Sequence, residues 1–107
     1  MNTFDEYQRS THTTAIYPPD KALEYLALGL VGEAGEVAQR IKKYLRDGGD
    51  LGDVQHDLYY ELGDVLWYLS ELCTATNAYL SDVAAANLAK LADRQARGVL
   101  GGSGDKR

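Results

Sequence analysis

The chain has 107 residues, of which 45% are hydrophobic, and a formal net charge of −5 at pH 7. This length predicts one domain with a thin core, and the apolar content is too high for a disordered chain. The negative charge argues against binding to a nucleic acid polymer, whose phosphates are bound through clustered lysine and arginine. A small anionic ligand is still compatible with this charge if a metal ion supplies positive charge.

Cysteine usage and hydropathy bear on the cellular compartment. The lone cysteine, Cys73, cannot form an internal disulfide, which fits a reducing cytoplasm. The sequence has neither an apolar run of about 18 residues nor a leader in which basic residues precede apolar ones. We therefore expect a cytoplasmic protein without a membrane span or a signal peptide.

Cap and turn signals divide the chain into four predicted helices, over residues 4–13, 21–46, 54–77 and 82–97. Thr3 and Glu6 form a capping box at the start of the first helix, and a pair of prolines follows its end. The three later helices each follow a residue whose side chain can cap them: Asp20, Asp53 and Ser81. Glycines mark the loop between the second and third helices.

Apolar residues recur at helical spacing along the two long helices. On the second helix they are Leu23, Leu26, Leu30, Val37, Ile41 and Tyr44. On the third they are Val54, Leu58, Leu62, Val65, Leu69 and Leu72. Amphipathic helices with short connections predict an all-α fold, an antiparallel bundle of four main helices. We expect residues 1–97 to form this domain and residues 98–107 to form a glycine-rich tail.

The most informative feature is a repeated pair of acids. Glu33 and Glu36 on the second helix match Glu61 and Asp64 on the third, each pair three residues apart and followed by valine. Acids at this spacing share a helix face, and both pairs border the apolar arc, so packing the two arcs together would gather four carboxylates. Two carboxylates about 5 Å apart repel by roughly 3 kcal/mol at an effective dielectric near 20. The pattern therefore predicts a site for a hard cation, Mg²⁺ or alternatively Mn²⁺.

A solvent-exposed acidic surface is the simpler alternative for such a motif. Two copies at the same edge of two apolar arcs, each with a glycine between its acids, favour the metal site instead. Glycine weakens a helix by about 1 kcal/mol relative to alanine, so these glycines suggest close helix contact. Packing alone would also explain them, and the sequence leaves both explanations open.

These residues resemble the signature of the MazG-like all-α nucleoside triphosphate pyrophosphohydrolases, which is E-x-x-E, a spacer and E-x-x-D. Here the spacer has 24 residues, and the stretches 30–37, 61–68 and 90–105 also resemble the family. The resemblance implies that the four acids bind Mg²⁺ and that a nucleoside triphosphate and water give the monophosphate and pyrophosphate. It implies catalytic roles for Glu33 and Glu36, either of which could accept a proton from the attacking water.

The same resemblance implies a set of substrate-binding residues: Tyr68, Asn87, Lys90 and Arg94. Tyr68 follows Asp64 by one helical turn and is placed to touch the sugar or base. The other three form a stripe on the fourth helix, for which an exposed polar face is the alternative. For Trp67 and Tyr60 we favour a subunit interface over stacking on a base. The tail could fold over phosphates or fray.

We therefore expect an oligomeric hydrolase, a homodimer or homotetramer, whose partner is a nucleoside triphosphate and neither a nucleic acid polymer nor a membrane. Two alternatives belong to other classes. A non-catalytic oligomerisation or regulatory module would keep the fold without turnover. A di-iron carboxylate bundle would need Glu-x-x-His pairs, whereas positions 36 and 64 are acids here.

Overall fold

The structure, a computed structural model, describes residues 3–104 and residue 107. These residues contain four α-helices, one short 3₁₀ helix (Pro19–Lys21) and no β-strand. The α-helices are α1 (Phe4–His12), α2 (Ala22–Asp47), α3 (Leu51–Ala75) and α4 (Leu80–Ala96). The prediction of an all-α fold with four main helices is confirmed, and none of the described helices is long and apolar enough to cross a membrane.

The N-cap of α1 is Thr3, as the sequence predicted. The Oγ1 atom of Thr3 accepts a hydrogen bond from the backbone N–H of Glu6 at 3.1 Å. The prediction that Asp20 caps α2 was wrong, because the 3₁₀ helix leads directly into α2 and no side-chain cap is formed. Proline fixes its own φ near the helical value, which favours such a turn.

The predicted caps of α3 and α4 were also wrong. Asp50 caps α3 instead of Asp53 and accepts from the N–H of Gly52 at 3.0 Å. The two preceding glycines have φ of 72° and 118°, so the chain turns sharply and α3 begins three residues earlier than expected. The Oγ of Ser81 donates to Asp5 at 2.7 Å, which joins the start of α4 to α1.

Helices α2 and α3 form an antiparallel hairpin, the most extensive helix pair of the described chain. Only three residues, 48–50, connect them. As the numbering rises along α2 it falls along α3: Gly29 faces Tyr68, and Arg40 faces Asp57. This register places residue 33 opposite residue 64, so the two acidic pairs lie at the same level of the hairpin.

Helix α1 packs on α3, and α4 packs on α1 and α3. Within the described chain, α4 makes no close backbone approach to α2. The helices thus form a hairpin with two additional helices against α3, which is more open than a bundle in which all four helices surround one core. The radius of gyration of 16.6 Å also exceeds the ~13 Å that is typical of a compact chain of this length.

The apolar core is small, as the length predicts. Among the described residues, Leu26, Cys73 and Leu80 are the buried hydrophobic side chains. Two residues assigned to the apolar arcs, Leu23 and Leu62, are instead 52% and 55% exposed. Their arcs are wider than the surface that the neighbouring helix covers, so their outer edges face solvent in the single chain.

Candidate functional site

Three of the four predicted metal ligands meet between α2 and α3. Glu33, Glu61 and Asp64 each offer a carboxylate oxygen, and these oxygens all lie within 4.8 Å of one another. Glu33 comes from α2 and the other two come from α3, so the antiparallel register creates the cluster. Glu36 is exposed and does not belong to this group of three. We call Glu33, Glu61 and Asp64 the carboxylate triad.

The electrostatics of the triad centre on Glu33. Burial raises the pKa of the Glu33 carboxyl, and the negative charges of Asp64, Glu61 and Glu36 raise it further, in that order. Glu36 therefore lies close enough for its charge to act on Glu33, although it stands outside the triad. A carboxyl whose neighbours disfavour its charge gains most from a cation, because the cation reverses that repulsion.

Arg40 contacts one member of the triad. Its Nη2 donates to Oε1 of Glu61 at 3.3 Å, and its Nη1 lies 3.6 Å from the carboxylate of Asp57. The guanidinium thus holds one oxygen of Glu61, namely Oε1. Arg40 Nε is buried without a hydrogen-bond partner among the described atoms. This single positive charge offsets only part of the negative charge that surrounds it.

A cleft of about 280 Å³ opens beside the triad. The described residues that line it are Thr14, Glu33, Asp64, Trp67 and Tyr68. It thus combines two carboxylates, two aromatic side chains and the hydroxyls of Thr14 and Tyr68. This volume is near the lower end of the range for ligand pockets. The cleft can therefore hold part of a nucleotide, while the rest of the nucleotide would lie at its open entrance.

Tyr68 lies in this cleft, as its spacing from Asp64 suggested. Its ring occupies the space beside Gly29 on α2, where an added methyl group would approach ring atom Cδ1 to 2.7 Å and two other ring atoms more closely still. Any larger residue at position 29 would therefore displace the ring. Here the glycine serves the close contact of a helix with a side chain.

Trp67 occupies a setting that differs from the subunit interface that we favoured. Its ring is half-buried, lines the cleft and packs edge-on against Tyr68 at a centroid distance of 5.0 Å. The indole Nε1 donates to Oγ1 of Thr14 at 2.9 Å. The connection after α1 therefore fixes the orientation of the indole, which the local pattern of α3 did not reveal. Tyr60, by contrast, is exposed on α3.

The predicted residues of the fourth helix are not among the described residues that line the cleft. Asn87 and Lys90 are exposed on α4, whereas Arg94 is only 4% exposed. The packing of α4 against α1 and α3 explains this separation, since α4 does not approach α2. In the tail, the Arg107 guanidinium donates to the carbonyls of Val99 and Gly104, so the described tail residues fold on one another. Asp105 lies outside the described residues.

Sequence reasoning missed three residues of the site: Gly29, Thr14 and Arg40. Gly29 had a signal, because a glycine inside a long helix suggests close contact, but its partner was not evident. Thr14 lies in a connection without a pattern of its own. Arg40 follows Glu36 by one turn, and only the register of the hairpin shows that it faces Glu61.

The fold and the site together define a class of protein: an all-α chain whose two long antiparallel helices gather E-x-x-E and E-x-x-D acids beside an aromatic cleft. The family model of the MazG nucleotide pyrophosphohydrolase domain matches residues 21–99, and the chain belongs to this family. The matched region contains α2, α3 and α4 and all four acids, whereas α1 and the connection that follows it lie outside it.

One curated relative is similar along nearly its whole length. The Gene 37 protein of Mycobacterium phage L5 is 46% identical over 111 residues, which cover 96% of this chain and 97% of that protein. No solved structure is significantly similar to the chain.

Proposed function

We propose that this protein is a Mg²⁺-dependent nucleoside triphosphate pyrophosphohydrolase, which converts a ribo- or deoxynucleoside triphosphate and water to the monophosphate and pyrophosphate. Family membership supports the class of reaction. The observation that carries the proposal is the carboxylate triad, whose oxygens lie within 4.8 Å of one another at the edge of an aromatic cleft. We further propose a cytoplasmic role in clearing nucleotides.

The chemistry of the donor set fits a hard divalent cation. The triad offers only carboxylate oxygens, without a cysteine or histidine that would favour zinc or iron. The raised pKa of Glu33 reflects the repulsion that a cation would relieve. Glu33, Glu61 and Asp64 would hold Mg²⁺, or Mn²⁺ in its place, and Glu36 would join them by a change of rotamer.

Bound at the triad, the metal would neutralise phosphate oxygens and lower the pKa of a water molecule beside the α-phosphorus. Glu33 or Glu36 would accept the proton of that water, because both lie on the α2 side of the cluster. The side chain of Arg40 would keep Glu61 in place through its hydrogen bond to Oε1.

The aromatic side of the cleft would receive the nucleoside. Tyr68 and Trp67 present a ring pair beside Glu33 and Asp64, which suits contact with a sugar or base next to a metal-bound phosphate chain. The family resemblance supports Asn87, Lys90 and Arg94 as further substrate-binding residues. Asn87 and Lys90 are exposed on α4, whereas the burial of Arg94 suits a role in holding α4 in place.

We also propose that the protein is a homodimer or homotetramer. Its accessible surface of 7712 Å² exceeds the ~5,900 Å² expected for a compact monomer of this mass. Large apolar side chains on α2 and α3 contribute to the excess, among them Leu28, Val31, Tyr59 and Leu62. A standard interface buries about 800 Å² per partner, so about two such contacts would account for the difference.

The proposed domain spans residues 1–97, with residues 98–107 as a glycine-rich tail that closes over the phosphates when substrate binds. Four glycines between 98 and 104 allow such a rearrangement. In the structure the tail folds on itself through Arg107, which donates to the backbone of residues 99–104.

A panel of ribo- and deoxynucleoside triphosphates tests the reaction. Each is incubated with the protein and Mg²⁺, and the monophosphate, pyrophosphate and orthophosphate are measured separately. We expect monophosphate and pyrophosphate in equal amounts, with no turnover after chelation. Orthophosphate as the direct product would indicate attack at the γ-phosphorus and contradict the proposal.

Two acids on α2 provide a matched pair of variants. Glu36→Ala is expected to lose at least about a hundredfold of activity, because it removes a ligand or base beside the attacked phosphorus. Glu24→Ala changes an exposed acid in the first turn of the same helix and should keep wild-type activity. Full activity in Glu36→Ala would place the chemistry elsewhere, and an inactive wild-type protein would favour a non-catalytic module.

A further inference from the structure

A carboxylate outside the acidic motif is fully buried. The side chain of Glu71 on α3 is 0% exposed and lies two turns after Asp64. Charged groups are rarely buried completely without partners, because losing hydration costs several kcal/mol. The hydrogen-bond partners of Glu71 therefore indicate why a carboxylate is buried at this position.

Three groups from the N-terminal part of the chain converge on this carboxylate. Thr11 Oγ1 donates to Oε2 at 2.8 Å, and Tyr17 Oη donates to Oε1 at 2.7 Å. His12 Nδ1 lies 3.0 Å from Oε1 and donates in the tautomer that carries hydrogen there. Because Thr11 gives its single proton to Glu71, Ser70 Oγ is the donor of the 2.9 Å bond between the two hydroxyls.

These partners bracket the connection between α1 and the 3₁₀ helix, residues 13–18. Thr11 and His12 end α1, and Tyr17 lies just before the two prolines. One carboxylate on α3 thus holds both ends of the connection. Three donors on one carboxylate make this anchor strong for a chain with so few buried apolar residues, because hydrogen bonds to a charged group are stronger than those between neutral groups.

The connection in turn reaches the cleft. Thr14, in its middle, accepts the hydrogen bond of the Trp67 indole at 2.9 Å and lines the cleft beside Glu33. Tyr17 packs edge-on against Trp67, with ring centroids 6.4 Å apart, and stacks on Tyr25 at 5.6 Å. The anchor at Glu71 is therefore joined to the ring pair of the cleft by two routes, one through Thr14 and one through Tyr17.

We propose that Glu71 is a positioning residue, which fixes the 13–18 connection as one wall of the nucleotide cleft and thereby sets the orientation of Trp67. This inference rests on the proposed function for the identity of the ligand. It adds a residue outside the acidic motif and a wall outside the region that the family model matches. Glu71 belongs neither to the triad nor to the described residues that line the cleft, so in this proposal it acts on substrate through the connection.

Trp67 makes the anchor directly measurable, because it is the only tryptophan of the chain. Tyr17→Phe removes one hydroxyl and retains the ring, so the fold should survive. We expect its tryptophan emission to shift to longer wavelength and its KM for the best triphosphate to rise about tenfold, the size of one lost charged hydrogen bond, with kcat within about twofold. Glu71→Gln should likewise raise KM with little change in kcat, and its emission shift should be larger.

Tyr79→Phe is the matched control, since it removes a hydroxyl from a side chain that is 65% exposed and is not among the described residues that line the cleft. Its emission and KM should equal those of the wild type. A Tyr17→Phe variant that also matches the wild type in emission and KM would overturn the proposal. A fall in kcat with unchanged KM and emission would do so too, because it would place Tyr17 in the chemical step. If Glu71→Gln fails to fold, Tyr17→Phe alone carries the test.

The emission measurement needs no nucleotide, which separates this inference from the proposed function. If no triphosphate is hydrolysed but Tyr17→Phe still shifts the emission, the positioning role is supported and the reaction is refuted. If triphosphates are hydrolysed and the emission and KM of Tyr17→Phe are unchanged, the reaction stands and the positioning role is refuted.

Discussion

Substitution of Gly29 offers a sharp test of the packing at the site. A methyl group at this position would lie 2.7 Å from Cδ1 of Tyr68 and closer to two other ring atoms. The helix backbone cannot retreat without disturbing the α2–α3 contact, so the tyrosine ring must swing away. In Gly29→Ala the ring would leave the position that it now holds beside Glu33 and Asp64 in the cleft.

The expected change in stability is the sum of two opposed effects. Alanine stabilises a helix interior by about 1 kcal/mol relative to glycine. Overpacking costs about 1–3 kcal/mol, so Gly29→Ala should range from neutral to about 2 kcal/mol less stable. Gly32, one turn away, has nothing within 4 Å of an added methyl group, so Gly32→Ala should gain about 1 kcal/mol. The midpoint temperatures of the two variants should then differ by roughly 10 °C.

Thermal unfolding measures the difference in midpoint temperature. Steady-state kinetics measure the effect of displacing the Tyr68 ring on substrate binding. We expect Gly29→Ala to raise KM about tenfold if Tyr68 contacts the nucleoside, a loss near 1.4 kcal/mol of binding. Gly32→Ala should leave KM unchanged. The reasoning would be refuted by a Gly29→Ala protein as stable as Gly32→Ala with a wild-type KM, because Tyr68 would then have free space that the structure denies.

Three other predictions concern the metal, the pH and the assembly. Mg²⁺ at a hundred times its dissociation constant should stabilise the fold by about 2.7 kcal/mol, and Glu61→Gln should reduce the rise in midpoint temperature severalfold. Burial, together with the hydrogen bond and charge of Glu71, raises the pKa of Tyr17 to about 12, so this residue stabilises the fold fully below pH 10 and loses that contribution between pH 10 and 12. Denaturant unfolding should show this loss, and Tyr17→Phe should lack it. Sedimentation equilibrium should give a mass at least twice 11.7 kDa, and a single-chain mass at micromolar concentration would contradict the oligomer.

The helices and the acidic cluster were predictable because both follow from short-range spacing. Acids three residues apart share a helix face, and a short connection makes neighbouring helices antiparallel. These two facts suffice to bring Glu33 to Glu61 and Asp64. The place of Tyr68 followed in the same way, since it lies one turn from Asp64 on the same face of α3.

The features that the sequence did not reveal depend on contacts between distant segments. Glu71 looked like an ordinary polar residue of α3, and only its partners 54 to 60 positions earlier explain its burial. Two adjacent glycines with positive φ turn the chain just before α3, so the helix begins at Leu51 and is capped by Asp50. The sequence alone was equally compatible with a cap at Asp53. The place of α4 depended on its contacts with α1, such as that between Ser81 and Asp5.

The stability of this fold and the occupancy of its site are coupled through α2 and α3. Their hairpin is the main packing surface of the described chain, and the carboxylate triad draws its members from both of these helices. The same register that buries Leu26 brings Glu33 toward two other acids, and Arg40 offsets only one charge. A cation that binds the triad would therefore strengthen the packing of the hairpin itself. Removing one acid should consequently have two opposite effects, a more stable metal-free protein and a smaller gain on adding Mg²⁺, whereas loss of a purely structural carboxylate would lower stability in both conditions.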